Sequence, residues 1–329
     1  MANKTLLCFL SFTLFLSAFA SAELCHPQDK AALLQIKQEL NNPRILRSWT
    51  PTTDCCASWF LVACNQTTNR VWFLKVLYSH HVTGRISSAV GDLTELQILS
   101  FSKLPNLTGT IPHSITKLRN LYYLEISYTG ISGPVPQFLS QMTSLTDLIL
   151  TGNKFTGPVP PSFAQLTKLE SLNLDQNMLT GTIPDVYGSF KNPIIYVTLA
   201  RNRLTGTVPR SFKNANFSTI NVSKNKLTGD ASFLFNNQAL FEIDLEGNEF
   251  LFDFSKVKVS ENMQRIDISK NKIYGSIPES LTKLMGLLAL NVSYNELCGK
   301  IPVGGELQSF NATSYFHNKC LCGAPLPAC

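Results

Sequence analysis

Glu242, Asp244 and Glu246 alternate along one short stretch of the chain, and Asp267 follows Asp244 by one repeat interval. Alternation puts the first three on one face of an extended strand, about 7 Å apart, and a neighbouring strand would bring Asp267 to about 5 Å. Paired carboxylates at such distances are what glycoside hydrolysis uses. That reaction also needs one acid kept protonated in a cleft that encloses the substrate. An open strand face with Arg265 alongside offers no reason for it. The expected role of these acids is to meet solvent or a charged partner, and no catalytic residue is expected. The chain has no G-x-S-x-G, no phosphate-binding loop and no H-E-x-x-H. His80 and His81 are adjacent, and His26, His113 and His317 stand alone. No metal site and no cofactor are expected.

What would hold those acids in place is a repeat. Asn153, Asn177, Asn202, Asn225, Asn248, Asn271 and Asn295 follow one another at intervals of 23 to 25 residues. Apolar residues precede each by five and by three positions, as Leu148 and Leu150 precede Asn153. A spacing of two is strand spacing, and the unit L-x-L-x-x-N-x-L fits a leucine-rich repeat with a period of about 20–29 residues. Strand leucines would fill a core that only stacked neighbours can close. The asparagine would satisfy backbone groups where the chain leaves the strand. The glycine four positions later (Gly157, Gly181, Gly206) would permit a positive-φ bend, and the proline after it would end the strand. Weaker copies extend upstream through Gly84, Gly109 and Gly133, and one near Phe250–Phe252 lacks the glycine and proline. The expected fold is an α/β solenoid: an arc of about ten repeats over residues 71–297, with a parallel sheet on its concave face.

Composition bounds the rest. The 329 residues are 15% charged with a net charge of +6. Their Lys and Arg are scattered, so a nucleic-acid partner is not expected. Lys4, the apolar run Leu6–Phe19 and Ala20-Ser21-Ala22 read as a cleaved secretory signal over residues 1–22, too short for a membrane span. Eight cysteines then remain, four near each end: Cys25, Cys55, Cys56 and Cys64; Cys298, Cys320, Cys322 and Cys329. Secretion favours disulfides over zinc. Cys25–Cys55 with Cys56–Cys64, and Cys298–Cys320 with Cys322–Cys329, are the expected pairs, although the sequence leaves other pairings within each set open. They would staple caps at residues 23–70 and 298–329, the first opened by a helix with Ala32, Leu33, Ile36 and Leu40 on one face. Six sequons follow the signal. Asn221 and Asn291 fall on expected strands, Asn216 is the sixth, and Asn65, Asn106 and Asn311 are the expected glycan acceptors.

The G-x-I-P form is that of plant leucine-rich repeats. With a paired-cysteine cap at each end, with "IPDVYGSF", "KNKLTGDASFLF" and "NKIYGSIP", and with the tail "NELCGKIPVGGELQSF…CLCGAPLPAC", the chain resembles the polygalacturonase-inhibiting proteins of plant cell walls. The resemblance implies a secreted apoplastic glycoprotein that docks its concave face on fungal or insect endopolygalacturonases, and a monomer is expected. Pectin is a second implied ligand. The expected contact residues lie before, between and just after the strand leucines: Asp147, Ile149, Thr151, Asn173, Asp175, Gln176, Thr198, Arg201, Asn221, Lys224, Glu242, Asp244, Glu246 and Asp267. The chain departs from the family in three places. Ile149 and Asn221 stand where its strands often carry aspartate, and Leu61 replaces the glycine of its W-x-G-V-x-C cap. A ligand-sensing protein working with a membrane partner is the alternative. An ice-binding relative ranks last, because the concave positions carry no ladder of one small polar residue.

Overall fold

The computed structural model describes residues 24–190 and 194–329, and the expected leader over residues 1–22 lies outside them. One sheet runs the length of the arc. It begins with the antiparallel strand Val62–Cys64, paired to Val71–Leu77. The strands Ile98–Gly109, Tyr123–Pro134, Asp147–Ile149, Ser171–Asn173, Ile194–Thr198, Phe217–Asn221, Glu242–Asp244, Arg265–Asp267 and Ala289–Asn291 then follow in chain order. From Val71 onward each pairs in parallel with the next, in matching repeat register: Leu148 lies opposite Leu172, and Ile243 opposite Ile266. The strand leucines point inward and are almost wholly buried.

The repeated asparagine secures each turn. Asn177 donates its amide N–H groups to the carbonyls of Leu174 and, one repeat back, Leu150, while its oxygen accepts from the N–H of Phe155. Asn202, Asn225, Asn248, Asn271 and Asn295 repeat that pattern. Asn318 adds a further rung inside the C-terminal cap, accepting from Leu297 N–H and donating to Val292. Each side chain thus satisfies backbone groups that would otherwise be buried unpaired. The residue just before the asparagine sits in the left-handed region in repeat after repeat, as with Gln176 at φ 54° and Lys224 at φ 55°.

Beyond the asparagine the chain runs along a flank. There, short parallel strands such as Lys154–Pro158, Met178–Thr180 and Lys226–Gly229 form a second layer of sheet. The proline does not simply end the concave strand; it follows these flank strands and opens a 3₁₀ helix, as Pro184 does before Asp185–Ser189. The convex side carries a 3₁₀ helix in successive repeats. Where the copy near Phe250 lacks glycine and proline, Phe235, Phe252 and Phe254 fill the space, with the Phe235 and Phe254 rings 5.7 Å apart.

Both caps are stapled as expected: Cys25–Cys55, Cys56–Cys64, Cys298–Cys320 and Cys322–Cys329. The first opens on the helix Pro27–Glu39, whose Ala32, Leu33 and Ile36 are buried. Asp29, wholly buried, accepts from the Arg70 guanidinium at 2.9 Å and from Val71 N–H at 2.8 Å, tying the helix to the first repeat. Asp54 caps the short helix that carries Cys55 and Cys56 by accepting from the N–H groups of Cys56 and Ala57. Leu61, where the resemblance implies glycine, adopts φ 71°, in the left-handed region that glycine favours.

Candidate functional site on the concave face

Three columns of residues face the hollow of the arc, one before, one between and one after the strand leucines. The middle column has a local chemistry that the sequence reading missed. Asn173 accepts a hydrogen bond from the N–H of Asp175, Asn221 from Ser223, Asp244 from Glu246, Asp267 from Ser269, and Asn291 from Ser293. An Asn or Asp at this position thus ties down the backbone two residues on. The visible signal is Asn or Asp between two apolar strand residues, with Ser, Asp or Glu two positions later. Asn221 keeps this structural role although it lacks the charge of aspartate.

Two strands break the series. Ile149 offers no acceptor. Thr198 offers none to Ala200, and there the carboxylate of Asp175 reaches over from the preceding strand to accept from Ala200 N–H at 2.6 Å. This draws Asp175 down into the sheet. Burial pushes its carboxyl up to about 6; the Ala200 N–H and the neighbouring Thr198 hydroxyl oppose the rise, and the charge of Asp244 adds to it. Burial likewise raises Asp244, with Asp267 contributing repulsion. Burial on the concave face thus raises both carboxyls, a shift that the open strand face gave no reason to expect at Asp244. Concavity desolvates them.

Glu246 differs. Burial would raise its carboxyl, but Lys270 at 2.7 Å and Lys224 at 3.0 Å outweigh that and hold it below the usual range. These partners clamp it. Asp267 accepts from Ser269 at 2.6 Å and from the Asn291 amide at 3.1 Å. Glu242, Asp244, Arg265, Asp267, Ala289 and Asn291 line a shallow hollow of about 230 Å³.

Of the expected contacts, Asp147, Ile149, Asn173, Asp175, Thr198, Asn221, Glu242, Asp244, Glu246 and Asp267 are half-buried in the concave face, and Lys224 is half-buried at its edge. Gln176 and Arg201 are exposed at that edge. Thr151 is a correction: at 8% exposure it is buried and presents nothing to a partner. Its column is buried at Ser127, Ala200, Ser223 and Ser269 as well, and only the longer Asp175 and Glu246 stay within reach of solvent. Asn65, Asn106, Asn216 and Asn311 are exposed, while Asn291 is bonded into the concave face.

Earlier on the arc lies a second acid that the contact set omitted. Glu125 accepts from the hydroxyls of Ser100 and Ser127, each at 2.7 Å, and of Tyr123 at 3.2 Å. Burial works against it, but these donors hold its carboxyl below the usual range, while burial and the Glu125 charge push the Tyr123 phenol up to about 12.

Residues 26–65 match the family described as leucine rich repeat N-terminal domain, and residues 119–179 and 262–284 match leucine rich repeat families. Polygalacturonase inhibitor 1 of Arabidopsis thaliana is 48% identical over the full length of both chains. The polygalacturonase inhibitor of Vitis vinifera is also 48% identical, over 94% of this chain and 92% of its own. Among solved structures, a plant ice-binding protein superposes with a TM-score of 0.90 at 47% identity, over 93% of this chain and 99% of that one. The ectodomain of the Arabidopsis receptor kinase HAESA, bound to a peptide hormone, superposes at 0.68 with 26% identity, over 90% of this chain but 53% of that one. Full-length identity of this order, on the same capped solenoid, means that the chain belongs to the polygalacturonase inhibitor family of leucine-rich repeat proteins.

Proposed function

We propose that this protein is a secreted cell-wall defence protein that binds fungal or insect endopolygalacturonases with its concave face and blocks pectin cleavage without catalysis of its own. The observation that carries the reading is the full-length identity to relatives named polygalacturonase inhibitors. The concave geometry supports it: Asp175 and Asp244 are desolvated acids with acceptor capacity left over, which favours a cationic partner group. The raised carboxyl of Asp175 comes from burial, which the Ala200 N–H opposes, and it does not argue for an acid catalyst. Cap disulfides fit an oxidising compartment, and among the described residues no helix is long and apolar enough to cross a membrane. The test is an inhibition panel of fungal and insect polygalacturonases. Asp175→Lys is expected to weaken inhibition about a hundredfold, roughly 3 kcal/mol. Lys213→Glu, in the exposed convex 3₁₀ helix Arg210–Asn214, should change it less than threefold. Inhibition that survives the first change and is abolished by the second would reject the concave face.

A second reading, ice binding, gains one specific observation besides the ice-binding structural neighbour. A ladder of one small polar residue, absent from the concave face, stands on the flank.

A further inference from the structure

Thr83, Thr108, Ser132, Thr156, Thr180, Thr205 and Thr228 each precede the bend glycine of successive repeats, so seven consecutive repeats place a hydroxyl at the same point of the flank. Thr108, Thr156, Thr180, Thr205 and Thr228 are exposed. Their spacing is that of neighbouring strands, about 4.8 Å. Backbone bonds carry the flank layer across its strands: Thr205 N–H donates to Gly181, and Lys226 N–H to Leu204, each at 2.8 Å.

Three of these seven hydroxyls donate to a carbonyl one repeat back. Thr108 donates to the Gly84 carbonyl at 3.2 Å, Thr205 to Gly181 at 3.3 Å and Thr228 to Gly206 at 3.4 Å. A second column two residues on contains Thr110, Thr182 and Thr207, completed by Pro134 and Pro158. Its methyls lie over the glycine of the next repeat: a Cβ on Gly206 would come within 2.9 Å of the Thr182 methyl, and one on Gly229 within 2.8 Å of the Thr207 methyl. The glycines therefore keep this face level as well as turning the chain. Threonine rotamers pinned by backbone carbonyls lose little freedom when the face is occupied.

We propose that this flank ladder, centred on Thr156, Thr180, Thr205 and Thr228, binds a crystalline water surface. The inference rests on the ice-binding reading above and assigns it a face. A rigid row of alternating methyl and hydroxyl groups at one fixed interval matches a ligand that is itself periodic, flat and made only of hydrogen-bonding oxygens. A folded protein or a flexible glycan has no such repeat. The methyls shed poorly held water, and the hydroxyls, of which those of Thr108, Thr205 and Thr228 already donate inward, offer their lone pairs outward to water that donates. Lys154, Arg203 and Lys226 border the ladder on one side, where their long stems can turn to solvent.

The test uses the mature protein in an ice-recrystallisation assay and in uptake of fluorescently labelled protein by a growing ice hemisphere. Thr180→Lys combined with Thr205→Lys, both at exposed positions, should raise the concentration needed to stop recrystallisation at least tenfold and abolish uptake. Its melting curve should match the parent's. Thr180→Val with Thr205→Val, which keeps the methyls, should cost severalfold less than the lysine pair. Asp175→Lys should leave ice activity unchanged. A parent that stops recrystallisation as well with both lysines as without them overturns the flank assignment while leaving ice binding standing. Loss on Asp175→Lys would move the site to the concave face and overturn it too. A parent with no effect on ice removes both the reading and the inference.

Discussion

Glu125 and Asp175 are half-buried acids on one continuous sheet, yet the sheet treats them in opposite ways. Glu125 is ringed by the hydroxyls of Ser100, Tyr123 and Ser127, which hold it ionised in spite of burial. Asp175 is drawn inward to cap Ala200, receives too few donors for its desolvation, and sits near the charge of Asp244. The early part of the concave face has therefore satisfied its acid internally, and the later part has not. An acid whose lone pairs are filled has little to offer a partner, whereas a desolvated acid with unfilled lone pairs gains most when a cation arrives.

The largest expected effect separates the two parts by function. Asp175→Asn keeps an acceptor for Ala200 and removes the charge, so combined with Asp244→Asn it should weaken polygalacturonase inhibition by about a hundredfold, roughly 3 kcal/mol, as for desolvated charge pairs. Glu125→Gln should alter inhibition less than threefold. An inhibition series in which Glu125→Gln costs as much as the double change would erase the distinction.

The fold was legible in the sequence because a solenoid writes its core at a fixed period. Leu148 to Val292 and the asparagines could be read directly, and so could the cap cysteines. The fine structure of the concave face was not legible, because it depends on what a neighbouring strand lacks. Nothing in "LNLDQN" alone shows that Asp175 will be pulled inward, since the cause is Thr198 a repeat later, where no Asn or Asp is present to cap Ala200. The burial of Thr151 likewise follows from the curvature of the sheet, which a period cannot reveal. Glu125 was passed over because its donors come from two strands, Ser100 from one and Tyr123 and Ser127 from the next. The flank threonines were visible as letters, but only the strand pairing shows that they form a surface.

A smaller effect should appear in stability. Glu125→Ala strands the buried hydroxyl of Ser100 and the half-buried one of Tyr123, leaves Ser127 only its bond to Ser102, and should lower the unfolding free energy by about 1–3 kcal/mol. Asp244→Asn removes repulsion from Asp267 and a desolvated charge while still able to accept from Glu246 N–H, so it should be neutral or stabilising by up to about 1 kcal/mol near pH 7. Urea unfolding at fixed pH measures both. Equal losses in the two variants would show that the later part of the face is as internally satisfied as the early part.

The smallest effect is a dependence on pH, and its sign follows from the direction of each shift. Asp175 titrates at about 6 in the folded chain against 3.8 for an ordinary aspartate. Between those values the folded state holds a proton that the unfolded chain has released, so stability falls as pH rises from about 4 through 6 and is flat above. A shift of this size bounds the change at roughly 3 kcal/mol, and relaxation of the site should reduce it to about 1–2 kcal/mol. Glu125 and Glu246 are held low, so their contributions are complete above the ordinary carboxylate range and are lost only as pH falls below it. The two groups therefore act in separate windows. Urea unfolding from pH 4.5 to 7 should show declining stability in the parent and a shallower decline in Asp175→Asn, with the fall below pH 4 common to both. Inhibition should run the other way, strengthening as pH rises through 6, because a cationic partner group gains its charged acceptor only once Asp175 has lost its proton. Parallel pH profiles for the parent and Asp175→Asn would mean that Asp175 is as well satisfied as Glu125, and the contrast with Glu125 would rest on Asp244 alone.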